Sequence, residues 1–288
     1  IIKDLKPFRN PLSIKRIKDV CGRKRLILKL QELGNWAGLK VDENYHDTSM
    51  AEFLKSFNRS LSDGKFSKHY LHDWSIPKNC PELLGAVPFE EYRVPKYFVD
   101  DYYQRMPLTF DHSWPSLFLG PKGTASSLHV DSGGSHFWLY LQSGQKEWRI
   151  FPKEQVINLY PKPGTSYFHV DPFHLDFNQF PLLGKSKVYA FTQFPGELVF
   201  VPSMCAHSVL NVDDIVGFSM NYVDESSFYR HLWQTLKEST GYWNFEYFVN
   251  KGFPRGWNMN VRNRINNDSV PFGIFKSLWY NASMTVKL

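Results

Sequence analysis

The chain has 288 residues, 42% hydrophobic, 17% aromatic and 22% charged, an ordinary globular composition able to bury a sizeable core. It contains no run of about 18 apolar residues that would read as a membrane span. Its three cysteines, Cys21, Cys80 and Cys205, are odd in number and far apart, which argues against a disulfide framework or a cysteine-based zinc site and for a reducing compartment, nuclear or cytoplasmic.

The formal charge of +6 is concentrated near the start, at Lys15, Arg16, Lys18, Arg23, Lys24, Arg25 and Lys29. Such a cluster suits nucleic acid, an acidic partner or nuclear import, and equally suits a solvated helix face. The chain begins at Ile1 rather than Met and so reads as a fragment of a longer protein.

Leu26, Leu30 and Leu33 in RKRLILKLQELGNW (23–36) and Phe53, Leu54, Phe57 and Leu61 in AEFLKSFNRSL (51–61) fall at helical spacing. A mostly helical segment is therefore expected over 1–68. From 69 to 224 the texture changes to short aromatic and β-branched runs between Pro, Gly and Asn: HYLHDWSI, YRVPKYFVDDYY, SLFLG, HFWLYLQ, KEWRIF, KVYAFTQF, ELVFVP and IVGFSMNYV. This predicts an antiparallel sandwich or barrel. Phe228, Leu232 and Leu236 and the stretch FGIFKSLWY (272–280) predict helices in a C-terminal extension over 225–288, packed on the core or forming a homodimer interface. The fold expected is mainly β with flanking helices.

The tripeptide His-Val-Asp occurs twice, in SSLHVDSGG (126–134) and SYFHVDPFH (166–174). On a strand, the His and the Asp of such a tripeptide share a face. With a second imidazole they form a facial triad that leaves positions open for a co-substrate and oxygen, a geometry suited to Fe(II). His207, in PGELVFVPSMCAHSVLN (195–211), supplies a distal imidazole at the start of another strand, sharing a face with Val209 and Asn211.

The segments downstream of the two copies differ. After the first, GGSHFWLYLQSGQKEWRIFP reads as two strands joined by a hairpin turn around Ser143 and Gly144. In the returning strand Lys146 shares the inward face with Trp148 and Ile150. A buried ammonium needs an anion, and a dicarboxylate such as 2-oxoglutarate is one. The second copy, with His169 and Asp171, runs into Pro172 and reads as a loop.

The stretches GPKGTASSLHVDSGGSHFWLYLQSGQKEWRIFP and PGELVFVPSMCAHSVLNVDDIVGFSMNYVD resemble the JmjC (Jumonji C) family of Fe(II)- and 2-oxoglutarate-dependent oxygenases, a branch of the cupin superfamily, across roughly residues 90–224. YRVPKYFVDDYY upstream is similar to the phosphatidylserine-receptor-like branch of lysyl hydroxylases and arginine demethylases.

The resemblance implies a double-stranded β-helix core. It also implies iron bound by His129, Asp131 and His207, and 2-oxoglutarate held by Lys146 and Ser126, with Asn211 and Ser219 (where a Thr is usual) at pocket positions. Leu139 departs from the branch, which has an Asn there. The implied reaction consumes oxygen and 2-oxoglutarate and hydroxylates a protein side chain, lysine first. N-methyl demethylation of lysine or arginine, hydroxylation directed by RNA and a catalytically silent cupin binding module are the alternatives. Trp74, Tyr102 and Tyr103 are candidate contacts for a cationic substrate side chain through cation–π stacking.

Overall fold

The protein is described by a computed structural model covering residues 1–30, 40–41, 48–57, 64–85, 91–98, 101, 103 and 114–238. The first helix, α1 (Ile14–Cys21), is capped by Ser13, whose hydroxyl accepts from the Arg16 backbone N–H, and it buries Ile17 and Cys21.

The helix expected over 23–36 does not form in its described part. Leu26 and Leu28 are fully buried while Ile27 between them is 59% exposed, a period of two that suits an extended chain. The segment then becomes β1 (Lys29–Leu30), which pairs with β2 (Lys40–Val41). Residues 31–36 lie outside the described residues. The helix over 51–61 does begin, as α2 (Met50–Phe53) capped by Ser49 and continued by a 3₁₀ turn to Phe57.

Next come β3 (His69–Ser75) and the short α3 (Ile76–Asn79). Cys80, just beyond α3, is bonded to Cys21 at the end of α1. This overturns the expectation of unpaired cysteines, because folding brings two distant, fully buried positions together; it also removes the ground for inferring a reducing compartment. YRVPKYFVDDYY is not a strand where it is described. Tyr92 makes a single bridge to Phe8, and a 3₁₀ turn follows at Lys96–Phe98, since Pro95 cannot donate to a ladder.

The remaining strands are β4 (Ser116–Gly120), β5 (Ala125–His129), β6 (His136–Ser143), β7 (Lys146–Phe151), β8 (Tyr189–Gln193), β9 (Leu198–Val201), β10 (Ala206–Asn211) and β11 (Ile215–Tyr222), followed by α4 (Phe228–Glu238). They form a seven-stranded sheet, ordered β2-β1-β3-β4-β11-β6-β9, facing a four-stranded sheet, ordered β5-β10-β7-β8. All the pairings are antiparallel. From β4 the chain passes between the sheets at most connections, the mark of a jelly roll. Through β3, β1 joins the same sheet as β4, so the described part of 1–68 contributes strands to that sheet.

β6 and β7 are not a hairpin. β6 pairs with β11 and β9, whereas β7 pairs with β10 and β8. The two-residue link turns a corner between sheets at Gly144, φ 81°, where a Cβ would overlap the Asp214 carbonyl oxygen of the neighbouring β10–β11 corner. A short turn signal fixes a reversal but does not fix which sheet the returning strand joins.

One apolar cluster lies outside the large sheet and includes Leu71, Trp74, Leu117, Trp138 and Phe218; a second, with Phe118, Phe137, Leu139, Trp148 and Val209, fills the space between the sheets. Among the basic residues, Arg16 reaches Glu91, Lys24 reaches Glu82 and Lys29 reaches His72, while Lys15, Lys18, Arg23 and Arg25 are exposed. Phe228 is buried at the start of α4. The side chains of Leu232 and Leu236, and the helix expected over 272–280, lie outside the described residues. No helix among the described residues is long and apolar enough to cross a membrane.

Candidate active site

A β-bulge builds the centre of the site. His207 on β10 pairs with His129 on β5, but Val209 pairs with Ser126, so Ser127 and Leu128 together oppose the single residue Ser208. Strict alternation would send Ser126 and His129 to opposite faces. The extra residue turns both toward the space between the sheets, where they line one cavity together with Asp131, His207 and Lys146. That cavity has a volume of about 60 Å³, several times what one water needs.

His129, Asp131 and His207 each offer a ligand atom, all within 4.8 Å of one another. His129 Nδ1 faces the Ser127 carbonyl oxygen at 2.7 Å, and His207 Nδ1 faces that of Cys205 at 3.1 Å. A carbonyl only accepts, so both imidazoles carry their proton on Nδ1 and present the Nε2 lone pair to the cavity. Burial, helped by the neighbouring His129, pushes the His207 imidazole down to about 3, which keeps it neutral as a ligand must be. Burial also raises the Asp131 carboxyl, against the opposing effects of His129 and of a hydrogen bond from Asn221. Asn221 donates to Ser135 Oγ as well, at 3.0 Å. Two imidazole nitrogens and one carboxylate, oriented by carbonyls and an amide, fit an octahedral divalent metal with open positions.

The second His-Val-Asp copy lies in the long β7–β8 connection. His169 is exposed, and Asp171 bonds to His174 Nδ1 at 2.7 Å. The loop nevertheless touches the site, because Tyr167 bridges to His129 along the edge of β5.

Lys146, Trp148 and Ile150 all point inward, at 1%, 0% and 7% exposure. The Lys146 ammonium donates to Asn211 Oδ1 at 2.8 Å and to the Tyr70 hydroxyl at 3.0 Å. Both acceptors are neutral, and burial pulls the ammonium down to about 7. A buried cation met only by neutral oxygens is a ready receptor for an anion. Burial raises the Tyr70 phenol, so its hydroxyl stays protonated. Asn211 is not on the cavity wall; its amide donates to Thr124 Oγ1 at 2.8 Å and it serves as the brace behind Lys146.

Leu139 lines the cavity, and its ladder partner Ser219 is 1% exposed with a hydroxyl that has no hydrogen-bond partner among the described residues. Trp74 is not at the mouth. It is 7% exposed and packed in the outer cluster, on the far face of β3. Tyr103 stacks on Trp114 and meets His231, and Tyr102 lies outside the described residues. Sequence patterns alone miss four polar residues of the cavity wall, Tyr70, His72, Asp73 and Asn221, and the aromatic Phe118 and Phe137. Tyr70 and His72 carry a readable signal, as polar residues two apart on a strand opposite Leu71.

Residues 31–228 match the cupin-like domain family. A 2-oxoglutarate and iron-dependent oxygenase JMJD4 homolog of Drosophila melanogaster is 26% identical over 69% of this chain and 47% of its own length. The arginine-specific demethylase JMJ20 of Arabidopsis thaliana is 24% identical over 69% of this chain and 46% of its own. The human 2-oxoglutarate and iron-dependent oxygenase JMJD4 is 29% identical over 59% of this chain and 40% of its own. The chain thus spans less than half the length of these curated relatives. The chain belongs to the cupin-like domain family.

Proposed function

We propose that the chain is an Fe(II)- and 2-oxoglutarate-dependent dioxygenase that hydroxylates a protein side chain, lysine first. One observation carries this reading: a triad of two imidazoles and a carboxylate shares a cavity with a buried ammonium that meets no anion among the described residues. His129, Asp131 and His207 would hold the metal, and Lys146, Tyr70 and Ser126 the distal carboxylate of 2-oxoglutarate. When bound, the pair would use dioxygen, one atom of which enters succinate as 2-oxoglutarate loses carbon dioxide while the other is delivered to a substrate C–H bond.

The protein's own part is orientation and exclusion. The carbonyls of Ser127 and Cys205 fix both imidazole tautomers, Asn221 steadies Asp131, and Phe118, Phe137 and Trp148 keep the walls dry. Succinate release that requires Fe(II) and 2-oxoglutarate, with a mass gain of one oxygen in a peptide, tests the reading. A protein that binds neither ligand would sink it in favour of a silent cupin.

N-methyl demethylation is the second reading, supported by relatives named lysine-specific demethylase JMJ21 and arginine-specific demethylase JMJ20. It differs only in the carbon that faces the metal, and loss of a methyl group instead of gain of oxygen distinguishes it.

A further inference from the structure

One charged group lining the cavity has no task in holding iron or 2-oxoglutarate. Asp73 reaches the cavity because β3 is bulged: Leu71 pairs with Leu119 and Trp74 with Leu117, so three steps along β3 match two along β4. Asp73 absorbs the extra residue at φ 60°, a left-handed conformation that Asp tolerates better than most residues. The bulge places His72 and Asp73 on the wall that carries Tyr70, while Leu71 and Trp74 stay in the outer cluster.

Asp73 is exposed and lines the cavity. Lys29 lies close enough to feel its charge, but the Lys29 ammonium sits 3.3 Å from His72 Nδ1 and makes no ion pair with Asp73. Burial and the neighbouring Lys29 hold His72 neutral, so it adds no positive charge to the wall. In a loaded site the divalent metal, Asp131, dianionic 2-oxoglutarate and the Lys146 ammonium cancel. Among the charged groups lining the cavity, the Asp73 carboxylate is then the one without a partner; Lys29, off the wall, offsets part of its field, and a carboxylate on the wall draws in a cation.

We propose that Asp73 is a specificity-determining residue whose carboxylate receives the cationic head of the substrate side chain, a lysine ammonium or an arginine guanidinium. This rests on the oxygenase reading above. It also accounts for a charged residue in a left-handed conformation where a regular strand would carry none.

The test uses the whole chain loaded with Mn(II) and 2-oxoglutarate under nitrogen, and labelled peptides with neutral flanks and a central Lys, Arg, norleucine or Glu. Fluorescence anisotropy should show preferential binding of the Lys or Arg peptide, weakened at least about tenfold by Asp73→Asn and largely recovered by Asp73→Glu. Equal binding of Lys, Arg and norleucine peptides, no binding of any, or unchanged affinity in Asp73→Asn with its thermal midpoint preserved would overturn the assignment. Succinate release by the Fe(II)-loaded wild type reports separately on the underlying reading. Release without any charge preference overturns only the role of Asp73, whereas no release, with no 2-oxoglutarate binding, removes the oxygenase reading itself.

Discussion

Lys146 and Asn211 stand directly opposite each other on the β7–β10 ladder, and the ammonium of the first donates to the amide oxygen of the second over 2.8 Å. Directly opposed residues on one sheet face are the closest neighbours a sheet offers, so the brace follows from register alone. What the pair lacks is a negative charge. Burial leaves Lys146 at about 7 in the folded chain, against an ordinary 10.5. Between those values the unfolded chain binds more protons than the folded one, so the ligand-free protein gains stability as pH rises from about 7 toward 10.5.

A bound dicarboxylate reverses this preference by raising the ammonium's pKa. Binding above about pH 7 is therefore expected to take up close to one proton, and affinity to fall by up to tenfold per further pH unit. Titration calorimetry at about pH 8 in buffers of different ionisation enthalpy measures the uptake. It should vanish in Lys146→Met, along with at least about 100-fold of 2-oxoglutarate affinity; uptake that persists in that variant would contradict the assignment.

The two His-Val-Asp copies make opposite predictions. Asp131→Ala or His207→Ala should cost at least about 100-fold in Mn(II) or Fe(II) affinity, since each removes a ligand from a set of three. Asp171→Ala removes a hydrogen bond to the exposed His174 and should leave metal affinity within about twofold. Metal retention measured by elemental analysis after gel filtration separates these outcomes.

Much of this site could be read from side-chain alternation, and the failures have a common cause. Lys146, Trp148 and Ile150 on β7, and His207, Val209 and Asn211 on β10, face inward as a period of two requires. Alternation fails at β5 and β3, where one inserted residue changes the face. No composition signal marks the inserted residue in SSLHV, and at β3 only Asp73, a residue tolerant of positive φ, hints at it. Family resemblance alone puts Ser126 beside the ligands; the bulge opposite Ser208 is the physical reason it can be there. The β6–β7 corner, the Cys21–Cys80 bond and the extended course of Leu26–Leu28 depend on contacts between distant segments, which local patterns do not carry.

Asn221 touches Asp131 and Ser135, so it orients a ligand without being one. Asn221→Ala should lower metal affinity by about 10- to 100-fold, as loss of an outer hydrogen bond commonly does. Because the residue is only partly buried, the thermal midpoint should fall by no more than a few degrees. Calorimetric metal titration beside a melting curve checks both, and an equal loss in each would mark the residue as structural.

Gly120 has no room for a side chain. A Cβ there would overlap Asn211 Nδ2 and lie 2.8 Å from both Thr124 Oγ1 and Tyr70 Cε2. Gly120→Ala must push apart the two groups that hold Lys146. Overpacking of this kind costs about 1–3 kcal/mol, a drop of several degrees in thermal midpoint. The KM for 2-oxoglutarate should rise with it while metal affinity is retained, because the ligand triad lies on other residues. Loss of metal affinity without a change in KM would show that the cradle and Gly120 are uncoupled.

Ser219 separates binding from folding. Its hydroxyl is buried, faces the same interior as its ladder partner Leu139, and has no partner of its own among the described residues. An unsatisfied buried hydroxyl costs about 1–3 kcal/mol, so Ser219→Ala should leave the ligand-free thermal midpoint unchanged or raise it. If the hydroxyl is kept for the co-substrate, the same change should raise the KM for 2-oxoglutarate several-fold, with kcat less affected. Leu139, which offers no polar group at the neighbouring position, makes that contribution larger than it would be beside an Asn. Leu139→Asn, which gives the hydroxyl a partner, should therefore lower the KM in the wild-type background and have a smaller effect on top of Ser219→Ala. A stabilised Ser219→Ala protein with an unaltered KM would show instead that the hydroxyl is a buried cost with no ligand to offset it.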